Sequence, residues 1–480
     1  MSILSNFNKA GRRLYNYAFS FLNTQGRRRD HGSQIQPQSV QLDETGRDKA
    51  HVLGRDLYKD SSLFRWAVDF HCKNTTGFVF QAKSKDKGFN RALEQYYEHF
   101  NRTLDFSGRY SFEELREIWE RRAVIDGDVL LVKLNNGQIQ SYQSDWIRGN
   151  DNGFVQGVKL DEFGRPLGYQ IERTTTNGKT IKNYYPARHS ILIAYWTGEL
   201  DAYRGVSPLA PSFAIFEDLN DVQEFMTAKI KLEASMGIFL KKSKANSPFT
   251  FSAPDLPEEL SDDNIEGHVN SDGSYANYQR EKKRQWDFSK PGIKGFELED
   301  GEDIAQVGNN SPGSTFKDYF LAILQAGLKP LSIPLTIYQE NLSNYYCSRA
   351  AYGLYQYQTL NRLKFNRALY TKLFQWRLAL DVLNGTIELP ENMLVKDTPF
   401  TFIPEEHSVL DMDREMKGHG VGVQYGFVSP QQVCGKFGRD YYQTVDEIAQ
   451  AMKYAQERGV NLSCFGATTD KGEDNAKNET

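Results

Sequence analysis

The sequence predicts an α+β protein: helices first, then a mainly antiparallel β region, then long helices bracketing an irregular excursion. Three observations carry that expectation. Hydrophobic periodicity changes at Gly127, where helix-compatible sequence gives way to the apolar run Val129-Leu-Leu-Val132. From Leu209 to Ile230 apolar residues recur at spacings of three or four, the mark of a helix with one buried stripe. Between about residues 245 and 312, prolines, glycines and a block of acids interrupt every period.

The chain opens with an arginine-rich stretch, Met1 to Asp30, closing on Arg27-Arg-Arg29. Polar residues interrupt its apolar part and no small-residue cleavage site follows, so it reads as an amphipathic arm rather than a leader. Thr45 to Val68 is helix-compatible. Glu113 to Arg122 is a clearer helix, with acids early and arginines late, as the helix dipole favours. After the Val129 run, Asn135-Asn-Gly137 signals a hairpin turn. Val155 to Leu160 and Leu167 to Glu172, around Asp161-Glu-Phe-Gly164, predict another hairpin. Asn177-Gly178 separates a further pair of short strands, and Ser190 to Trp196 is the last strand of a β region covering about residues 125 to 197.

Arg204-Gly-Val-Ser-Pro-Leu209 switches the chain to helix, with Ser207 as cap and Pro208 at the first helical position. That helix is expected to run from Pro208 to Leu240, burying Leu209, Phe213, Phe216, Leu219, Val222, Met226 and Ile230. It carries Glu217, Asp218, Asp221 and Glu224 early and Lys241, Lys242 and Lys244 at or past its end. The excursion holds Asp255, Glu258, Glu259, Asp262, Asp263 and Glu266, then Arg280-Glu-Lys-Lys-Arg284. Phe316 to Leu328 returns to helix, and Pro330 and Pro334 force Lys329 to Asn344 out of it. A long helix follows from near Ser348 to Leu383, with apolar positions at Phe365, Leu369, Leu373, Trp376, Leu380 and Leu383 and Gly385 at its stop. Ser429-Pro430 and the capping box Thr444-Val-Asp-Glu447 start short helices, and the tail past Gly466 is polar and expected to be disordered. No internal repeat is present.

Composition excludes several classes. The chain has 480 residues, enough for about three structural units, and 39% hydrophobic with 25% charged residues is globular usage. Lys and Arg number 58 against 62 Asp and Glu, a net charge of −4, so no global positive field gathers nucleic acid and any DNA contact is local or weak. Cys72, Cys347, Cys434 and Cys464 lie far apart without a C-x-x-C, which excludes a zinc ribbon and argues against a disulfide framework. That pattern fits a reducing compartment, and assembly in the cytoplasm is expected. Apolar stretches such as Phe320 to Leu324 are too short to cross a bilayer.

Motifs of known chemistry fail on their details. Gly308-Asn-Asn-Ser-Pro-Gly313-Ser-Thr315 has phosphate-loop glycine spacing, but Ser314 stands where the lysine is needed. Gly420-Val-Gly422-Val-Gln-Tyr-Gly426 misses dinucleotide spacing by one residue and reads as a turn. His407 and His419 lie near Asp411, Asp413 and Glu415 without further ligands at recognisable spacing, so solvated helix faces are the better reading. Asp126 and Asp128 flank Gly127 as paired nuclease carboxylates do, but capping a helix-to-strand turn is the better reading. No nucleophile elbow or Cys/His pair stands out. No catalytic residue, metal ligand or cofactor is expected.

Four stretches carry a resemblance. Arg204-Gly-Val-Ser-Pro-Leu209 resembles an R-G-V-S-x-L helix opening. Gly164-Arg-Pro-Leu-Gly-Tyr169, after Gly157 to Asp161, resembles a G-I-E-x-D…G-R-x-x-x-Y hairpin. Asn344-Tyr-Tyr-Cys-Ser-Arg-Ala-Ala351 resembles an N-Y-S-S-x-R-A element. Asp411-Met-Asp-Arg-Glu415 with Tyr425-Gly-Phe-Val-Ser429 resembles a D-P-x-K-E…G-x-x-S segment. Taken in chain order, all four resemble elements of the lambda-type family of bacteriophage portal proteins, and the resemblance covers roughly residues 45 to 460. Tyr346 and Cys347 replace small serines, Met412 a proline and Arg414 a lysine, departures that bear on local loop geometry.

The resemblance implies a portal fold with a β-rich wing, long-helix stem, small clip, tunnel loop and α-helical crown. It divides the chain into a basic arm (1–44), wing (45–206), stem helix (207–242), clip (243–312), second stem helix (313–329), tunnel loop (330–347), long wing helix and following segment (348–404), crown (405–466) and tail (467–480). It implies a homo-oligomeric ring, usually of twelve copies, at one capsid vertex of a virion. Viral double-stranded DNA would pass through it without sequence preference during packaging and ejection. The terminase large subunit, a head–tail adaptor, and major capsid and scaffolding proteins would be its partners, with no membrane involved.

On that reading Gln339, Asn341, Ser343 and Asn344 are DNA-facing tunnel-loop candidates, whose neutrality suits weak contact, although an ordinary surface loop also explains them. Asp255, Glu258, Glu259, Asp262 and Asp263 are clip candidates for steering a basic partner. The helix with Arg349, Arg362, Lys364, Arg367, Lys372 and Arg377 invites a nucleic-acid reading, while its apolar stripe favours a packed ring helix. The alternatives are another phage head or connector protein or, in a different class, a metal-dependent DNA-processing enzyme using the acids around Asp126 or Asp411.

Overall fold

The computed structural model describes residues 42–84, 86–150, 153–174, 177–196, 198–235, 239–241, 296–298, 315–340, 345–391, 393–405, 412–437, 439 and 441–460. The arm, the clip candidates, the Gly308 loop, Asp411, His407 and the tail lie outside them. The chain divides into one unit of Met1–Leu219 with Tyr319–Thr480 and a second of Asn220–Asp318.

In the first unit, α1 (Glu44–Asp60) and α2 (Ser62–Thr76) are separated by Ser61, whose hydroxyl accepts from the amide of Phe64 to cap α2. Strand β1 (Phe78–Ala82) leads to α3 (Lys87–Thr103) and α4 (Phe112–Asp126). Helix α4 starts in a capping box between Ser111 and Glu114, so two free amides are satisfied at once. Gly127 ends it at φ 99°, where a Cβ would lie 2.7 Å from the Cα of Val206. Only glycine permits both that dihedral and that approach.

The β region forms as two sheets. Strands β2 (Asp128–Lys133), β3 (Ile139–Gln143) and β8 (Ser190–Ala194) make an antiparallel sheet in the order β3-β2-β8, with the expected Asn136-Gly137 turn joining β2 to β3. Strands β4 (Phe154–Val155), β5 (Val158–Leu160), β6 (Pro166–Thr174) and β7 (Thr180–Pro186) make a meander. Two details differ from the sequence reading. Val155 to Leu160 is not one strand, because Gln156 (φ 52°) and Gly157 (φ 80°) fold it into a tight hairpin of its own. The strands on either side of Asn177-Gly178 are β6 and β7, so β6 serves two hairpins.

The expected helix at Pro208 begins later and ends earlier. Residues Ala210–Ser212, with Pro211 inside, form a single 3-10 turn, and α5 runs over Phe213–Ser235. Residues Phe239–Lys241 are strand β9, not helix: their backbone groups pair in parallel with β10 (Phe296–Leu298). The part of α5 from Asn220 onward, this strand pair and the first residues of the next helix, Thr315–Asp318, are the described parts of the second unit.

Helix α6 (Thr315–Leu328) returns to the first unit, followed by a 3-10 turn at Lys329–Leu331 and a one-turn helix α7 (Leu335–Tyr338). The long helix α8 spans Tyr345–Leu383, three residues earlier than expected. Its buried line is Leu369, Tyr370, Leu373, Phe374 and Leu378, whereas Leu383 is exposed. The stripe is rotated from the expected one because Asn366, Arg377 and Asp381 occupy the buried face with fixed polar partners. Gly385, at φ 73°, closes the helix by donating to Val382 O.

Strand β11 (Phe400–Pro404), which the sequence did not signal, pairs antiparallel with β1 across more than three hundred residues of chain. Helices α9 (Met412–Gln424), α10 (Pro430–Lys436) and α11 (Tyr441–Glu457) finish the unit. Ser429 caps α10 as expected. Thr444 does not start a helix but lies inside α11, which begins at Tyr441. The glycines expected to form a turn at 420–422 are helical, and only Gly426 turns, at φ 75°.

Three cores hold the first unit. The largest joins α3, α4, β1, β11 and the end of α8 through aromatic rings, among them Phe100, Phe112, Tyr370, Phe374 and Phe402 in edge-to-face pairs. The second packs α1 and α2 against Leu209 to Leu219 and against Leu324 to Ile333. The third is a small β core around Leu130, Ile147, Tyr169 and Ile171.

Candidate functional site: the helix opening, the proline-bearing loop and the long helix

The R-G-V-S-x-L segment is a clamp. Arg204 is 1% exposed and donates from Nε and Nη2 to both carboxylate oxygens of Asp128 at 2.6 and 2.9 Å. Its remaining donors reach the carbonyls of Ile147 (2.8 Å), Gln156 (2.9 Å) and Ser144 (2.9 Å), which ties both β sheets to the start of α5. The amide of Gly205 also donates to Asp128, at 2.9 Å, and a Cβ on Gly205 would lie 2.1 Å from Gly127 O. Ser207 Oγ donates to Val124 O at 2.7 Å and accepts from Leu209 N at 3.2 Å. Burial alone would raise the Asp128 carboxyl, but the charge and hydrogen bonds of Arg204 outweigh it and hold the group below its ordinary value.

A second buried pair locks α8 to α4. Arg362 grips Glu120 at 2.8 Å from both Nε and Nη2, donates to Ala194 O at 3.0 Å, and lies 4.0 Å over the ring of Tyr195. Tyr195 donates to the same carboxylate at 2.5 Å. His71 completes the network between Tyr195 Oη (3.0 Å) and Tyr355 Oη (3.2 Å). Burial opposes the charge on Glu120, yet Arg362 keeps its carboxyl below the ordinary value; burial also draws His71 down to about 4. Arg377 similarly pairs with Asp381 at 2.7 Å and with Gly137 O at 2.6 Å. Two of the six cations that invited a nucleic-acid reading are therefore internal ties. Arg349, Lys364, Arg367 and Lys372 remain on the exposed surface of α8.

The proline-bearing loop is pinned at its base. Leu331 and Ile333 are buried in the second core, Ser332 adopts a left-handed turn (φ 57°), and Tyr338 meets Trp66 edge-on at 5.6 Å. Gln339 caps α7, donating to Leu335 O at 2.9 Å, and is exposed. Asn341, Ser343 and Asn344 lie outside the described residues. Glu340, exposed and at φ 50°, was passed over in the sequence reading and places a carboxylate in the loop beside Gln339.

The paired acids have structural partners. Asp126 accepts from Arg55 Nε and Nη2 at 2.9 and 2.8 Å, and Asp128 belongs to the clamp. Among the described residues no group of three or more His, Cys, Asp or Glu is placed to hold a metal ion, and no helix is long and apolar enough to cross a membrane. The two ion pairs were missed because each joins residues far apart in sequence. The one local signal was Asp128 directly before the apolar run Val129–Val132; Glu120, in the charged stretch Glu117-Ile-Trp-Glu-Arg-Arg122, gave none.

No curated protein matches this chain. Among solved structures it is similar to a chain in the neck of an empty gene transfer agent particle computed with C6 symmetry, with 14% identity, TM-score 0.45, and coverage of 82% of this chain and 94% of that one. It is also similar to one in the native gene transfer agent virion (15%, TM-score 0.42, covering 82% and 93%) and to one in the native neck computed with C12 symmetry (14%, 0.43, 82% and 93%). A family model described as phage portal protein, lambda family, matches residues 26–359. That span includes the Arg204 clamp, Glu120 and Arg362's neighbours on α8, and the loop before α8, so the chain belongs to the lambda family of phage portal proteins.

Proposed function

We propose that this chain is the subunit of a twelve-copy ring at one capsid vertex, through which viral double-stranded DNA enters during packaging and leaves during ejection. The family match over residues 26–359 carries the proposal. In this reading α5 and α6 belong to the stem, residues 243–312 are the clip that docks the terminase large subunit and later the head–tail adaptor, and residues 330–347 are the tunnel loop. Major capsid and scaffolding proteins surround the ring, which is assembled in the host cytoplasm. The subunit is structural, and ATP is hydrolysed elsewhere.

Physical chemistry supports the assignment. A channel must not grip what it conducts, and every phosphate neutralised by a cation releases counterions and adds affinity. A net charge of −4 and a loop presenting Gln339 beside the carboxylate of Glu340 disfavour such a grip. Burial of Leu331 and Ile333 and the contact of Tyr338 with Trp66 keep the loop's base fixed while polymer moves past it. Native mass spectrometry and negative-stain images of the purified full chain test the proposal. Closed rings with a central hole are expected, and an obligate monomer would overturn it.

A further inference from the structure

Helix α5 carries Asp218, Asp221 and Phe225 on one exposed line, at spacings of three and four residues. Helix α8 carries Arg367, Lys364 and Leu360 on one exposed line, read from its C-terminal end, at the same spacings of three and four. Phe225 is 73% exposed and Leu360 40%, with Tyr357, at 74%, one turn further along the same line. Large apolar side chains exposed in contiguous rows with charges mark an interaction surface. Among the described residues no ion pair engages Asp218, Asp221, Lys364 or Arg367.

We propose that α5 of one copy lies antiparallel on α8 of the next, with Asp218 opposite Arg367, Asp221 opposite Lys364 and Phe225 opposite Leu360 and Tyr357. The inference rests on the ring proposed above and supplies its adhesive register. Only the antiparallel sense brings acids onto cations and ring onto aliphatic at once; the parallel sense sets Phe225 among cations and leaves the acids against Tyr357 and Leu360. The two faces are different and complementary, so each copy gives one and receives the other. Such a head-to-tail contact generates a closed ring when its rotation closes, whereas a self-complementary patch stops at a dimer. Charges at this edge select the partner and its register, and the apolar contact between them excludes water.

The test uses the full chain, native mass spectrometry and sedimentation velocity. Asp218→Lys with Asp221→Lys, and separately Lys364→Asp with Arg367→Asp, lower the ring population at fixed subunit concentration by at least about tenfold, because like charges then face one another. The variant carrying all four changes has the charges exchanged and recovers rings. Phe225→Ser weakens assembly while the melting temperature of the isolated subunit stays put. Unchanged assembly in either reversed pair, or failure of the four-change variant to recover despite a native melt, overturns the pairing and leaves the ring standing. A wild-type chain that stays single at every concentration overturns both.

Discussion

The two halves of α5 follow one spacing and meet opposite fates. Phe213, Phe216 and Leu219 are 0 to 1% exposed, whereas Ile230, on the same expected stripe, is 53% exposed. Helical periodicity is the same in both halves, so it says which face is apolar but not what covers it. In the first half the cover is the chain's own second core; in the second, Val222 and Met226 are half-buried and Ile230 is exposed.

Four measurements break or sharpen that contrast. The largest effect is expected at the clamp: Arg204→Ala strands the buried Asp128 carboxylate and costs about 3–5 kcal/mol in urea unfolding. Phe213→Ala should cost a similar ~3–5 kcal/mol by leaving a cavity, while Phe225→Ala changes subunit stability by less than about 0.5 kcal/mol and shows itself in assembly. Equal losses at both positions would mean that the second half of α5 is already buried within one copy.

The third measurement is pH. Buried His71 titrates at about 4 and buried His51 at about 3, both below the ordinary histidine value because burial disfavours the charged ring. Between about pH 6.5 and those values the unfolded chain holds protons that the folded chain does not, so stability falls as pH falls, by up to about 1.4 kcal/mol per pH unit for each histidine. Asp128 and Glu120, held below their ordinary values, add a further loss as pH falls through the unfolded carboxylate range and below it. His71→Gln should flatten the upper part of this slope, and a slope unchanged by that substitution would reject the assignment. The smallest effect belongs to Glu340→Gln: no measurable change in melting, and a slight gain in affinity for duplex DNA that disappears as salt rises.

Much of the fold was legible in advance because local signals were strong: Gly127, Asn136-Gly137, Ser429-Pro430 and the helical stripe each mark their element. What escaped was set by partners distant in sequence. Strand β11 exists because β1, over three hundred residues earlier, offers it an edge. The stripe of α8 was misplaced because Arg377 and Asp381 are buried by Gly137 and Tyr96, which no window around α8 contains. Within the candidate site, the R-G-V-S-x-L motif was visible, but its reason, the carboxylate at Asp128, was visible only in three dimensions.

The parallel pairing of Phe239–Lys241 with Phe296–Leu298 has a topological consequence. The chain leaves the pair at the Lys241 end and re-enters it at the opposite end, at Phe296. A parallel pair needs a crossover of a dozen or more residues but dictates little else about it. Length and sequence between Lys241 and Phe296 can therefore change without altering the register of the pair, provided the crossover still spans it.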